Sequence, residues 1–560
     1  MFPLGQSGSV VGRFGAFVDL LTGDSMTTQT MSGERAFAHG AVAAGVKVVA
    51  GYPGSPSSGV FDAIAALTAP EDVHLEWSAN EKVALEVAMG ASLAGRRALV
   101  CVKSVGMNVL VDPLMVINLT GVHGGLVILL GDDPGAYGSQ NDQDTRPIAE
   151  LSELPLWEPA TPSEALEMMQ EAFAVSERYR TVVIVRETRS FAQRTESVEV
   201  DDAPPQQVDR GLARVPFQWV PYPGNAVEKH RELHAKLEEL RVWSNHSRFQ
   251  QATGSGSQGI VGCGFAHSKL IDVLGPRAAE VRLLKLGVLN PLPDDVLGDF
   301  LLGCDEVLVL EENDPFVEWR LRALAQKQGC NTRIRGRQTD DVPWAGELYR
   351  WQIQDSLASF LGGERTSSYR EDGEALERPL RKDNCAGCPA LRIVEVLREA
   401  AAELKQDPYL IGDPGCLVKA SQFLDAKFCM GSAIAVAHGL LRAGVEERVV
   451  AIFGDSAFFH TAIPALINST HNETAPLLLV LDNSATVTSG NQANPGTGRD
   501  ARGADAPRLS IEEVAAVCGA RQVLTVGPDD NEDVLRDAFR TALVWRELGL
   551  VVVRKPCKKV

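Results

Sequence analysis

The chain has 560 residues, 45% of them hydrophobic and 23% charged, the make-up of an ordinary folded protein whose length, at roughly 150 residues per domain, predicts three or four domains. Its 73 acidic residues outnumber 54 basic ones for a net charge of −19, a field that repels phosphate backbones and anionic lipid heads and argues against nucleic-acid and membrane-surface roles. The longest apolar runs, such as 126–130 and 477–481, are strand-sized where a spanning helix needs about 20 residues, and the start MFPLGQSGSVVGRFG lacks the long apolar core of a signal peptide, so a cytoplasmic protein is expected.

Residues 1–32 are rich in Gly, Ser and Thr without periodicity and are set aside as an N-terminal extension. From 33 to 200 the pattern alternates. The helical segment ERAFAHGAVAAG precedes the strand VKVVAGY, a helix follows Pro56, another covers 80–94, and the strands RALVCVK, GGLVILLGD and RTVVIVRET come after. Strands separated by helices wind in parallel, which makes this stretch one α/β domain. Residues 201–257 turn polar, with DDAPPQQ at the entry, the charged helix EKHRELHAKLEELR and the exit ATGSGSQG, and read as an interdomain connection. A second α/β unit, 258–365, opens at GIVGCGFAHSKLIDVL. A third, 366–560, carries the strands VVAIFGD, PLLLVLDN and LVVVRK.

In the third unit, strand VVAIF runs into Gly454, Asp455 and Ser456, and the next strand ends at Asn483, 28 residues after Asp455. Carboxyl ends of parallel strands are where open α/β sheets bind ligands. Glycine lets backbone approach a pyrophosphate closely, Asp offers a hard anionic oxygen and Asn a neutral one, a set that suits Mg²⁺ holding a diphosphate. The same dipeptides also serve as plain strand-end turns. The pattern resembles the thiamine diphosphate motif, Gly-Asp-Gly with an Asn one strand later, except that Ser456 replaces the second Gly. That resemblance implies Mg²⁺ on Asp455, Asn483 and the carbonyl of Ala485.

Longer motifs extend it. Residues 51–58 (GYPGSPSS), 76–82 (EWSANEK), 103–108 (KSVGMN) and 131–146 (GDDPGAYGSQNDQDTR) are joined by CAGCP, GDPGC, FCMGSAIAVAHG and GDSAFFHTAIPALIN in the third unit. In this order, from about 32 to 557, they resemble the large subunit of the indolepyruvate ferredoxin oxidoreductases, within the 2-oxoacid:ferredoxin oxidoreductases. The resemblance implies an α/β chain of three doubly wound parallel-sheet domains: a pyrimidine-binding domain at 33–200, a transketolase C-terminal-like domain at 258–365 and a diphosphate-binding domain at 366–560. It implies thiamine diphosphate on Gly431, Gly454, Asp455, Ser456 and Asn483, with Glu81 as the carboxylic acid that activates the aminopyrimidine ring. A carboxyl buried among apolar groups resists ionisation, which suits that task. Glu76 and Glu86 compete with Glu81, which otherwise fills the acid-favouring first turn of a helix. Ser55 matches the loop that receives a 2-oxoacid carboxylate, though Pro-Gly-Ser-Pro is also a plain turn. His460 matches a family position, and read alone is equally a satisfied core histidine. The chain departs from the family at Ser104, where His is common, and at Ala390 and Leu391, where Pro-His-Arg is common after the CxxC.

Cys385 and Cys388 form a CxxC, with Cys416 and Cys557 further on. Two such thiolate pairs in a reducing compartment bind either Zn²⁺ or an iron–sulfur cluster, and spacing alone does not choose. The resemblance implies one [4Fe–4S] cluster on Cys385, Cys388, Cys416 and Cys557, with Cys429 a rival fourth ligand. It further implies oxidative decarboxylation of a 2-oxoacid, an arylpyruvate such as indolepyruvate, with coenzyme A to acyl-CoA and CO₂. The implied partner is a smaller gamma-domain-like subunit in a hetero-oligomer with two large subunits. The family usually continues into a ferredoxin-like domain, and this chain ends at Val560, so ferredoxin or another acceptor is expected to take the electrons. Two other readings stand beside it: a non-oxidative decarboxylase or carboligase whose cysteines hold zinc or nothing, and, from Ser104 and Ala390, a subunit that binds cofactor and partner without turnover.

Overall fold

The computed structural model describes residues 26–201, 203–362 and 387–557. Its first sheet has seven strands: β2 (Val48–Gly51), β3 (His74–Trp77), β4 (Ala98–Lys103), β5 (Leu126–Asp132), β6 (Leu156–Trp157), β7 (Val183–Thr188) and β12 (Val288–Asn290). They lie in the order β12-β6-β7-β5-β4-β2-β3, parallel except for β12 against β6. Beside it, β1 (Met26–Ser32) pairs antiparallel with β8 (Thr195–Asp201), so the end of the stretch set aside as an extension is ordered against the first unit. The middle sheet runs β14-β13-β10-β11-β9, from Arg333–Arg335, Glu306–Leu310, Gln258–Cys263, Arg282–Leu286 and Gln250–Thr253. The third, all parallel, runs β16-β15-β17-β18-β20-β19, from Ala426–Lys427, Tyr409–Gly412, Val449–Gly454, Leu477–Asp482, Gly549–Arg554 and Gln522–Val526.

Central strands β5 (LVILLGD) and β18 (LLLVLD) are buried at every residue. Helices cover both faces of these sheets, so the strands read as continuous apolar runs without alternation. The polar stretch 201–257 holds more than a connection. Helix Ala226–Asn245 stacks Trp243 on the buried Trp157, ring centroids 4.9 Å apart, and β9 adds an antiparallel edge to the middle sheet. That strand is mostly exposed, so no apolar period marks it in the sequence.

A buried ionic network joins the first and middle units. Arg186 on β7 donates to Asp132 (2.7 Å) and Glu158 (2.6 Å) and reaches Asn313 (3.2 Å). Arg146 pairs with Asp144 (2.6 Å) and with Glu311 (2.7 Å), while Lys269 holds Glu312 and Glu347, both at 2.8 Å. Burial opposes ionisation of Asp144, and Arg146 overcomes it, holding the carboxyl at about 2. Buried ion pairs are poor net stabilisers, yet stripping one partner leaves the other charge uncompensated, at about 3–5 kcal/mol. Arg146→Met is therefore expected to unfold the chain at a denaturant midpoint well below wild type, and an unchanged midpoint would show that Asp144 and Glu311 find other partners.

Candidate active site

The first and third units meet at the carboxyl ends of their strands. Helix Glu81–Leu93 starts after β3, with Asn80 as its cap accepting from the Val83 N–H at 3.0 Å. Asn80 also donates its Nδ2 to the His460 carbonyl, 2.9 Å away. Glu81 is 5% exposed, and its Oε2 lies 2.8 Å from Nε2 of His460. On its other side is Gly106, where a Cβ would come within 2.4 Å of Glu81 Oε1. Gly106 is thus the position at which any side chain displaces this carboxyl. The competing acids stand elsewhere: Glu76, half-buried, takes bonds from Ser78 and His74, and Glu86 is an exposed partner of Lys82.

His460 sits in the π-helical turn Phe458–Ala462 that follows β17 and the short helix Asp455–Ala457. Its Nδ1 is 3.2 Å from the Thr461 hydroxyl, and Tyr52 stands edge-on to its ring with centroids 4.6 Å apart. Burial first, then the charges of Glu81 and Asp455, push the Tyr52 phenol well above its ordinary value. Tyr52 therefore lies within the fields of both acids that the sequence singles out, one from each unit.

Asp455 is buried at the end of β17 and accepts from Asn494 Nδ2 at 2.9 Å. Burial, with a contribution from Asp482, raises its carboxyl to about 7. Asn494 also reaches the Ser456 hydroxyl (3.2 Å), which lies 2.8 Å from that of Thr486. After β18, Asn483 Oδ1 accepts from the Ala485 N–H at 3.2 Å, and Ser484 between them takes φ +59°. This turn gathers the Asn483 amide and the Ala485 backbone beside Asp455's strand. Gly431, at φ +76°, donates its N–H to Asp413 (2.7 Å), and a Cβ there would fall 1.8 Å from the Thr461 hydroxyl. Gly454, by contrast, would place a Cβ without a clash, 4.0 Å from the Leu481 carbonyl oxygen.

Among the remaining candidates, Ser55 is exposed in the loop ahead of helix Ser57–Leu67, whose Ser58 accepts from the Gly54 N–H at 2.8 Å. Ser104 is buried at the start of helix Ser104–Val109, and Ala390 is buried in the first turn of Pro389–Glu403. Cys385 lies outside the described residues. Cys388 caps helix Pro389–Glu403, which packs on the turn Cys416–Phe423. Cys416 accepts a bond from Asn483 Nδ2 at 3.4 Å. Cys557 follows β20, whose next residue Lys555 donates its N–H to the Asp482 carbonyl, 3.0 Å away. Cys388, Cys416 and Cys557 are half-buried, whereas Cys429 is exposed. The parallel order β15-β17-β18-β20 thus brings Cys416 and Cys557 to the edge that carries Asp455 and Asn483.

Sequence reasoning missed Tyr52, Asn80, Gly106, Asp413 and Asn494. Tyr52, Asn80, Gly106 and Asp413 stand inside motifs already singled out, and for Asn494 the signal was the GNQANPG run around it. Asn494 also lines a cavity of about 310 Å³ between β3 and the loop 493–502. Arg502 from that loop clamps the two units, donating to the carbonyls of Ala65 (3.0 Å), Thr68 (2.8 Å) and Val73 (3.0 Å).

Residues 39–214 match the family model "Pyruvate flavodoxin/ferredoxin oxidoreductase, thiamine diP-bdg", and residues 414–554 match "Thiamine pyrophosphate enzyme, C-terminal TPP binding domain". The indolepyruvate oxidoreductase subunit IorA of Pyrococcus abyssi is 35% identical over 557 residues, covering 94% of this chain and 85% of its own length. The subunit of the same name from Methanothermobacter marburgensis is 35% identical over 536 residues, covering 94% and 86%. A solved 2-oxoglutarate:ferredoxin oxidoreductase from Magnetococcus marinus aligns with a TM-score of 0.44 at 14% identity, over 55% of this chain and 62% of that one. Among the described residues no helix is long and apolar enough to cross a membrane.

Proposed function

Because this chain belongs to the thiamine diphosphate-dependent 2-oxoacid:ferredoxin oxidoreductases, as a large subunit of the indolepyruvate type, we propose that it oxidatively decarboxylates an arylpyruvate such as indolepyruvate to acyl-CoA and CO₂. In this reading the electrons leave one at a time through a [4Fe–4S] cluster to a smaller partner subunit or ferredoxin. The domain division at 33–200, 258–365 and 366–560 is part of the same proposal.

The observation that carries it is the Glu81–His460 contact of 2.8 Å between the first and third units, with Tyr52 edge-on to the His460 ring. Thiamine diphosphate, when bound, supplies a carbon nucleophile and an electron sink for loss of CO₂. Glu81, held by His460 on one oxygen and with Gly106 at its back, offers a buried carboxyl in a fixed position. The Asp455 carboxylate, the Asn483 amide and the Ala485 carbonyl make a set of hard oxygens that fits Mg²⁺. A buried acid whose bonded side-chain partner, Asn494, is neutral gains from a cation, which supports that fit. Gly431, Gly454 and Ser456 border the same edge and complete the proposed diphosphate cradle. Ser55, exposed ahead of its helix, is proposed to meet the 2-oxoacid carboxylate. The bond from Asn483 to Cys416 supports a cluster on Cys385, Cys388, Cys416 and Cys557 next to the cofactor.

A cation on Asp455 must displace the proton that its raised carboxyl keeps below pH 7. Affinity for Mg²⁺–thiamine diphosphate is therefore expected to fall by about tenfold per pH unit below about 7 and to level off above it. Calorimetric titration across that range measures this, and a flat profile would mean that Asp455 is not displaced by the ion.

The function is tested on the complex co-purified anaerobically with its partner. Arylpyruvates with CoA should reduce a one-electron dye faster than pyruvate does, with about four irons and four sulfides per chain. Cys557→Ser should lower iron content and Cys429→Ser should not; the reverse result reassigns the fourth ligand. Stoichiometric zinc, no iron and CO₂ release without dye reduction would establish the non-oxidative reading instead.

A further inference from the structure

Away from the cofactor edge, three side chains converge where the long connecting helix meets the first unit. His230 and His234 are four residues apart on helix Ala226–Asn245 and so share one face. Glu153 follows helix Arg146–Leu151 and takes φ +54°. Its Oε2 lies 2.9 Å from His230 Nε2 and its Oε1 2.7 Å from His234 Nε2. The imidazole centroids are 4.3 Å apart, and the three ligand atoms all lie within 4.8 Å of one another.

We propose that Glu153, His230 and His234 form a binding site for a divalent transition-metal ion, with zinc the best-suited occupant. Two imidazoles and a carboxylate are a borderline donor set that selects Zn²⁺, Co²⁺ or Ni²⁺ over Mg²⁺ and Ca²⁺. Both histidines present the same nitrogen, Nε2, to one carboxylate, each to a different oxygen of Glu153, and a single ion between the three side chains would satisfy all of them. At metal–ligand distances of about 2.0–2.1 Å, tetrahedral ligands stand about 3.3 Å apart. The two Glu–His pairs, at 2.9 and 2.7 Å, need to open by only about half an ångström to reach that spacing, and the histidine nitrogens already lie within 4.8 Å of each other. Its side chains are 51%, 59% and 26% exposed for His230, His234 and Glu153, so they have the freedom to do so and leave a fourth position to water.

The site has a mechanical consequence. Helix Ala226–Asn245 belongs to the connection between the first and middle units, and Glu153 belongs to the first. An ion shared between them pins the connection in place and stabilises the native state by mass action. The site uses none of the residues assigned to the cofactor.

The test uses the full, untagged chain in its anaerobic complex, titrated with Co²⁺ and separately with Zn²⁺. Wild type should take up one more equivalent of Co²⁺ than the His230→Ala/His234→Ala double variant. That extra equivalent should show ligand-field bands without thiolate charge transfer, which separates it from any cysteine site. Loss even of an outer partner weakens metal sites by about 10–100-fold, so Glu153→Gln, which keeps the side-chain volume, should lower affinity by at least about tenfold. Zn²⁺ should raise the thermal midpoint of wild type and not that of the double variant. Equal uptake by wild type and double variant, or thiolate charge transfer on the extra equivalent, would overturn the site and leave the trio as a hydrogen-bonded clamp.

Discussion

Glu81→Gln is expected to leave thiamine diphosphate bound while turnover falls about 10²- to 10⁴-fold, the usual worth of a positioned acid–base group. The substitution changes one atom. A glutamine keeps the length and volume that fit against Gly106, where space is short, and its amide can still meet His460 Nε2 in one tautomer. It cannot give up and take back a proton as a carboxyl does. Isotope exchange at the thiazolium C2 of the bound cofactor reads this step without substrate. Slow exchange with normal cofactor content would support the assignment, whereas wild-type exchange in this variant would remove Glu81 from the chemistry. Gly106→Ala should give a related loss by displacing the carboxyl, since its Cβ lies 2.4 Å from Oε1.

Asp455→Ala should abolish cofactor retention. Removing one partner of a buried charge contact costs about 2–5 kcal/mol, or about 30- to 4,000-fold in Kd, because the diphosphate would lose the anionic ligand of its cation. Misfolding is separated from this effect by Asp455→Asn, which keeps the volume and a partner for Asn494. The apo form of that variant should unfold at or above the wild-type temperature, since burial disfavours the carboxylate that it removes. Its affinity for Mg²⁺–thiamine diphosphate should nonetheless collapse. Retained affinity in both variants would refute a metal on Asp455. The two substitutions part cleanly: Glu81→Gln spares binding and loses proton exchange, while Asp455→Asn loses binding itself.

Much of this molecule is local and therefore legible in its sequence. The apolar runs of β4, β5, β17 and β18, set between helical segments, specify parallel sheets because both faces must be covered. The proposed ligand residues Gly454–Ser456 and Asn483 stand out by the same pattern, since loops after parallel strands open on one edge. The neighbourhood of Cys416 and Asn483 is likewise a consequence of strand order once β15, β17 and β18 are adjacent. What the chain could not disclose by spacing is every contact that depends on how units dock. Glu81 meets His460 across 379 residues and Arg502 reaches Thr68 across 434, and no periodicity links such positions. Tertiary structure also set the three acids apart, leaving Glu81 buried and Glu76 half-buried while Glu86 faces solvent. It carried β12 out of the middle segment to the edge of the first sheet, and it closed Glu153 onto His230 and His234. Periodicity records which face of an element is buried; which partner it meets depends on docking surfaces assembled from distant segments, where shape and charge are matched only after each unit has folded.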